Sequence, residues 1–287
     1  MSLHPSGVLS PTTHRVPVLL LRSCHLEPAV AVTVFVTALA AAAGRGPAGS
    51  AAVAAAVLAG QLSVGWSNDA ADAGRDRACG RPDKPVGTGE LPRRAVAVAA
   101  GTALALCVPL SLLSGGAAGA VHLVGVAAGW SYNLRLKRTV FSPLPYAVGF
   151  ASLPAFVTLG LPAPAPPAWW VLTAGALLGV GAHLVNVLPD IEDDLATGVR
   201  GLPQRLGRPG CRCLAPFVML TALVVIATGR PGGVTGADWV LTVVAGGVAV
   251  AGTAVPSAAR GRWPFRSAIV VAGLAVAELL LRGSDMT

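Results

Sequence analysis

The sequence predicts an all-α helix bundle embedded in a lipid bilayer, and three observations carry that expectation. Of 287 residues, 54% are hydrophobic and only 12% charged, at a mean hydropathy of +0.67. A soluble domain carries roughly 25% charged residues, so this chain lacks the polar surface that water demands. Disorder is excluded by the same composition, because disordered chains are poor in apolar residues and rich in charge. The second observation is a series of long apolar runs, and the third is the one-sided placement of basic residues between them.

A helix that crosses a bilayer takes about 20 mostly apolar residues. Nine stretches read that way: 26–43, 48–67, 94–113, 116–133, 143–161, 169–188, 211–228, 239–257 and 266–281. The last is short, which leaves eight as the alternative count. Gly and Pro punctuate the runs at "GRGP", "SGG", "FSPLP", "LPAPAPP", "GRPGG" and "RGRWP", as expected of connections. Trp169, Trp170 and Trp239 stand at span starts, where indole rings favour the membrane–water boundary. "VPVLLL" near the N-terminus is too short for a secretory signal and lacks a small-residue cleavage site. Residues 1–24 read as an N-terminal cytoplasmic segment. Residues 25–287 read as one transmembrane domain, two four-helix units plus a final helix.

Eighteen of the 21 basic residues fall on one side of this arrangement. They are Arg15 and Arg22; Arg75, Arg77, Arg81, Lys84, Arg93 and Arg94; Arg135, Lys137 and Arg138; Arg200, Arg205, Arg208 and Arg212; and Arg260, Arg262 and Arg266. Only Arg45, Arg230 and Arg282 fall on the other. Cytoplasmic loops are the ones enriched in Lys and Arg, so the N-terminus and these loops are expected on the cytoplasmic side of the cell membrane. The formal charge of +8 and pI near 10.1 thus describe topology and give no nucleic-acid patch. Five cysteines show no metal-ligand spacing, since no histidine or further cysteine accompanies Cys211 and Cys213.

Acidic residues are more selective. Eight of 13 lie in two connections: Asp69, Asp72, Asp76 and Asp83 after the second span, and Asp190, Glu192, Asp193 and Asp194 after the sixth. Orientation does not account for them, because Asp and Glu contribute little to it. If the second span continues as a helix, Asp69, Asp72 and Asp76 share one face, with Gln61 and Gly65 extending it into the membrane. Asp190 and Asp194 are four apart, and Asn186 and His183 extend their face likewise. Crowded carboxylates repel unless a cation sits between them. Mg²⁺ takes oxygen ligands from a few carboxylates and from substrate phosphates. Arg81, Lys84 and Arg200 follow closely and suit phosphate oxygens. Glu27 and Glu278 stay unassigned, and for His183 a buried bundle position is the plainer expectation.

These motifs resemble those of the UbiA superfamily of intramembrane prenyltransferases. "NDAADAGRDRACGRPDKPVGTGEL" resembles its first signature, "DIEDDLATGVRGLPQRLG" its second, and "YNLRLKR" the tyrosine–lysine stretch after the fourth helix. The resemblance runs through essentially the whole chain, and it implies a nine-helix bundle whose two Asp motifs bind Mg²⁺ and an isoprenyl diphosphate. It assigns Asn68, Asp69, Asp72 and Asp76 to the first cluster and Asp190 and Asp194 to the second. Lys84 and Arg200, with Arg81 as an addition, fall at basic diphosphate-binding positions. Tyr132 and Lys137 match the tyrosine–lysine pair, with Arg138 an alternative to Lys137. Asn186 joins them as a substrate-binding position. The entry to the first helix, "RSCHLEPAV", departs from the usual arginine-then-proline pattern, which leaves the acceptor open. The expected activity is Mg²⁺-dependent prenyl transfer to an aromatic or other electron-rich small molecule. The alternative is a terpene cyclase that folds the cation onto its own double bonds.

Overall fold

A computed structural model of the protein describes residues 16–229, 231–254, 263–281 and 286–287. Arg15, Arg230, Arg260, Arg262 and Arg282, part of the charge asymmetry, lie outside these. Among the described residues every regular element is helical. The α-helices are α1 (Val16–Arg22), α2 (Leu26–Ala42), α3 (Gly46–Ala78), α4 (Pro85–Thr88), α5 (Arg93–Leu112) and α6 (Gly116–Leu134). Then come α7 (Pro143–Leu159), α8 (Trp169–Val187), α9 (Ile191–Ala196), α10 (Leu202–Gly229), α11 (Gly236–Ala254) and α12 (Trp263–Leu281), with 3₁₀ turns at Leu136–Arg138 and Leu188–Asp190.

The long helices fall on the nine predicted stretches. By length and composition six of them cross a bilayer unaided, and α1 with α2, bent by 72°, makes a seventh. α7 is apolar but only 17 residues long. Two boundaries moved. α3 runs eleven residues past the predicted end at 67, and α10 begins at Leu202 rather than 211. α10 is two helical pieces on either side of Gly207, whose φ of 67° and ψ of 175° are not helical, a conformation that costs glycine little.

The helices close a ring in which α3 packs on α2, α5 and α6, α7 joins α6 to α8, and α12 returns to α2 and α8. Small residues let backbones approach closely, as membrane bundles require. A side chain at Gly65 would strike the Cys24 carbonyl, one at Gly179 the Tyr146 carbonyl, and one at Gly229 the Trp170 ring. Trp170 is therefore core, 2% exposed, and not the boundary residue its position suggested; Trp169 and Trp239 are exposed. At the end away from the acidic motifs, Arg45 donates to the Phe156 and Val157 carbonyls (3.5 and 3.4 Å) and to Ser114 Oγ (2.8 Å). Glu27 finds its partner in Arg266 of α12 (2.8 Å), and Glu278 is buried in the bundle.

Candidate active site

The first acidic motif stays helical because its sequence favours it: "AADAGRDRA" is rich in Ala and Arg, good helix formers. Yet three aspartates in the last turns oppose the helix dipole, which prefers cations there. Arg75 and Arg77 answer it partly; the remaining charge is met from other elements. All three carboxylates are buried, at 0% for Asp69 and 4% for Asp72 and Asp76, rather than facing solvent.

Each base arrives on its own support. Val86 and Leu91 around α4 are buried against Ala70 and Ala73 of α3, which holds Lys84 in place. Lys84 Nζ donates to Asp69 Oδ1 (2.7 Å) and contacts His25 Nε2 (3.0 Å). His25 itself lies 3.3 Å from that carboxylate, held in a left-handed conformation (φ 52°). Lys137, buried in the 3₁₀ turn, donates to Asp72 Oδ1; burial pushes its ammonium pKa down, against the pull of Asp72. Arg138 is exposed, so Lys137 is the lysine that reaches the carboxylates.

Arg75 joins the two motifs. One guanidinium nitrogen donates to Asp72 Oδ2 and the other to Asp194 Oδ1, both at 2.7 Å. Gln204, from the first turn of α10, donates to Asp194 Oδ2 (2.7 Å). Arg81 donates to Asp190 (2.7 Å) and to Asp83 (3.1 and 3.3 Å); that pairing holds Asp83 below the usual carboxylate range. Among the described residues no three acidic, histidine or cysteine side chains gather as they would around a bound ion. Asp69, Asp72, Asp190 and Asp194 face bases instead.

These charges roof a cavity of about 320 Å³. Asn68, Asp72, Asp76, Arg81, Lys84 and Arg75 line it at the charged end. Tyr132, Lys137, Asn186, Asp190, Asp194 and Gln204 also line that end. Farther in, the wall is Phe35, Val64, Val126, Phe150, Leu153 and Ile269. Along α3 the lining runs from Gly60 to Asp76, about 24 Å of helix at 1.5 Å per residue.

Three expected residues stand apart. Asp69 is outside the lining, its carboxylate held by Lys84, and Arg200 is exposed and also outside the lining. His183 does not share a face with Asp190: it is buried against Tyr132 and Tyr146 (ring centroids 5.4 and 4.7 Å) and contacts Ser142 Oγ (3.1 Å). Arg75, His25 and Gln204 were missed as site residues. Arg75 alone left a signal, its three-residue spacing from Asp72.

Residues 30–277 match the model of the UbiA prenyltransferase family. The chain belongs to that family. Among curated relatives, the bacteriochlorophyll synthase 33 kDa chain of Cereibacter sphaeroides is 32% identical over 182 residues. That match spans 60% of this chain and 60% of the relative. A UbiA homologue from Archaeoglobus fulgidus, solved bound to GPP and Mg²⁺, is 16% identical at a TM-score of 0.67, over 91% of this chain and 97% of its own. The apo UbiA homologue from Aeropyrum pernix K1 is 19% identical at 0.68, over 89% and 98%. At these identities the two structures speak for the fold.

Proposed function

We propose that this UbiA-family chain is a Mg²⁺-dependent intramembrane prenyltransferase, taking an isoprenyl diphosphate as donor and an aromatic or other electron-rich small molecule as acceptor. One observation carries the reading: a cavity crowded with acids and bases at one end and mostly apolar for the rest. A diphosphate with a hydrocarbon tail has the same two halves. The Archaeoglobus homologue bound to GPP and Mg²⁺ supports the donor class.

The residues fit a divalent cation. Asp69 Oδ2 is buried without a hydrogen bond, and among the described residues no hydrogen bond or ion pair reaches the Asp76 side chain. Asp69, Asp72, Asp76, Asp190 and Asp194 are the oxygen donors that would hold it. When bound, Mg²⁺ supplies neutralising charge to the leaving diphosphate. Lys84, Lys137, Arg75 and Arg81 are placed to turn from the carboxylates to phosphate oxygens, Arg bidentately and Lys as a point charge. The donor C–O bond breaks with its electron pair going to diphosphate, the acceptor's electron pair closes the new bond to C1, and the proton that the acceptor loses passes to the released diphosphate. The apolar wall keeps water from the allylic cation. Asn68, Tyr132 and Asn186 are the polar groups left to orient the donor. The basic asymmetry supports a cytoplasmic setting for this end, in the cell membrane.

A second reading, the terpene cyclase, is favoured by the rings beside the carboxylates. Tyr132 and Tyr146 meet edge to face at 5.1 Å and line the cavity with Phe150; aromatic faces stabilise cations by roughly 0.5–2 kcal/mol each. The test is incubation of purified protein with geranyl, farnesyl and geranylgeranyl diphosphates and Mg²⁺, with and without aromatic acceptors. Prenylated acceptor supports the transferase. Efficient formation of a cyclic hydrocarbon or terpene alcohol without acceptor replaces it with the cyclase, and no diphosphate release at all overturns both.

A further inference from the structure

The apolar end of the cavity is not wholly apolar. His122 of α6, 3% exposed, lines it there. Its ring stacks on Phe156 (centroids 4.6 Å apart, planes at 17°), so its orientation is fixed. Its height is also fixed: a side chain at Gly60 would come 3.4 Å from His122 Cε1 and 2.9 Å from Val126 Cγ2. Gly60 precedes Asp69 by nine residues and Asp72 by twelve, which puts the ring about 13–18 Å along α3 from those carboxylates.

The hydrogen bonds determine which ring nitrogen carries the proton. Ser111 Oγ donates to the Cys107 carbonyl at 2.6 Å, and a hydroxyl has one hydrogen to give. Toward His122 Nδ1, 2.8 Å away, Ser111 therefore accepts, and Nδ1 holds the ring hydrogen. Nε2 is left as a lone-pair acceptor. Among the described residues it has no hydrogen-bond partner, and Val64, Val126, Leu153 and Phe35 share its wall.

We propose that His122 sets how long an isoprenyl tail this cavity accepts, by presenting an acceptor nitrogen at the depth where a long tail ends. The inference rests on reading the cavity as an isoprenyl diphosphate site. A tail that stops short leaves room for water to donate to Nε2, with Gln61 and Ser152 in the same wall as further partners for it. A tail that reaches the ring replaces that water with C–H groups, and a buried acceptor left unmet is costly. A site built to hydrogen-bond discriminates strongly against a group that cannot. Below a diphosphate held at the carboxylates, a geranyl tail ends at or above the ring. A geranylgeranyl tail runs into it.

The test is equilibrium binding of geranyl and geranylgeranyl diphosphates, with Mg²⁺, to the full chain in lipid nanodiscs. Relative to wild type, His122→Leu should shift the affinity ratio toward geranylgeranyl diphosphate about tenfold, with geranyl binding kept. His122→Gln, which restores an acceptor, should leave the ratio within about twofold of wild type. Gly60→Ala, whose added methyl meets Val126 and His122 Cε1, crowds the cavity at that depth and should weaken only the longer donor. If His122→Leu does not fold, this variant tests the depth and His122→Met, which also lacks the acceptor nitrogen, should shift the ratio as His122→Leu would. An unchanged ratio in His122→Leu, an equal shift in Leu and Gln variants, or equal weakening of both donors by Gly60→Ala overturns the proposal. If wild type binds neither donor, the reading of the site falls first, and this inference with it.

Discussion

The two acidic motifs face one cavity from backbones of different make. The first rides an unbroken helix, α3, and its three aspartates are all buried. The second straddles a break: α8 stops at Val187, a 3₁₀ turn holding Pro189 intervenes, and α9 resumes at Ile191. Proline has no N–H to give and fixes its own φ, so the i, i+4 pair Asp190 and Asp194 does not sit on one regular face. Asp194 turns inward, to Arg75 and Gln204. Asp190 stays 37% exposed and, among the described residues, meets only Arg81. Equal sequence spacing has produced one deep carboxylate and one shallow one. The continuity of the helix, not the spacing of the acids, decides how much each group depends on its neighbours.

That contrast orders the expected effects of substitution. Asp72→Ala should be the most severe, because it removes a proposed cation ligand, strips buried Lys137 of its carboxylate partner and leaves Arg75 with Asp194 alone. Turnover measured as diphosphate release should fall at least about 10²-fold, and thermal unfolding should shift downward, since breaking a buried pair costs about 3–5 kcal/mol. Retained activity would remove the deep cluster from the mechanism. Arg75→Lys comes next. One ammonium does not reproduce a fork that touches both motifs, so a loss of about tenfold is expected, and a larger one in the double variant with Asp194→Asn would be additive only if the bridge does not matter.

Asp190→Ala should cost less than Asp72→Ala in stability, because its partner Arg81 keeps Asp83 and its own site is partly solvated, where ion pairs are worth about 0–1 kcal/mol. Equal destabilisation by the two variants would break the comparison between deep and shallow motifs. Arg200→Ala is the smallest: an exposed side chain outside the cavity should leave donor affinity within about twofold. A strong loss of affinity would show that the segment after α9 folds over the donor when it binds.

Much of this was legible in the sequence because it is periodic. Apolar runs set the long helices, and a three-then-four spacing set Asp69, Asp72 and Asp76 on one side of α3. What escaped depends on partners far along the chain. Arg75 reads as a positive-inside residue until Asp194, 119 positions on, is brought to it. His25 takes a left-handed backbone that no histidine announces. Trp170 reads as a boundary ring until Gly229 leaves space for it in the core. The choice of Lys137 over Arg138 was likewise decided by which side chain a single turn buries.

The arginine at the far end of the bundle completes the picture of what salt does to this protein. Arg45 binds two backbone carbonyls of the last turn of α7 and a serine hydroxyl, groups that carry no net charge. At the other end the fastenings are pairs of full charges, and several are partly open to solvent. Added electrolyte shortens the reach of charge–charge attraction to about 3 Å at 1 M, while a hydrogen bond from a guanidinium to a nearby carbonyl depends little on ions in the bath. Ionic strength therefore slackens the pairs at the end where chemistry is proposed and leaves the Arg45 fastening in place.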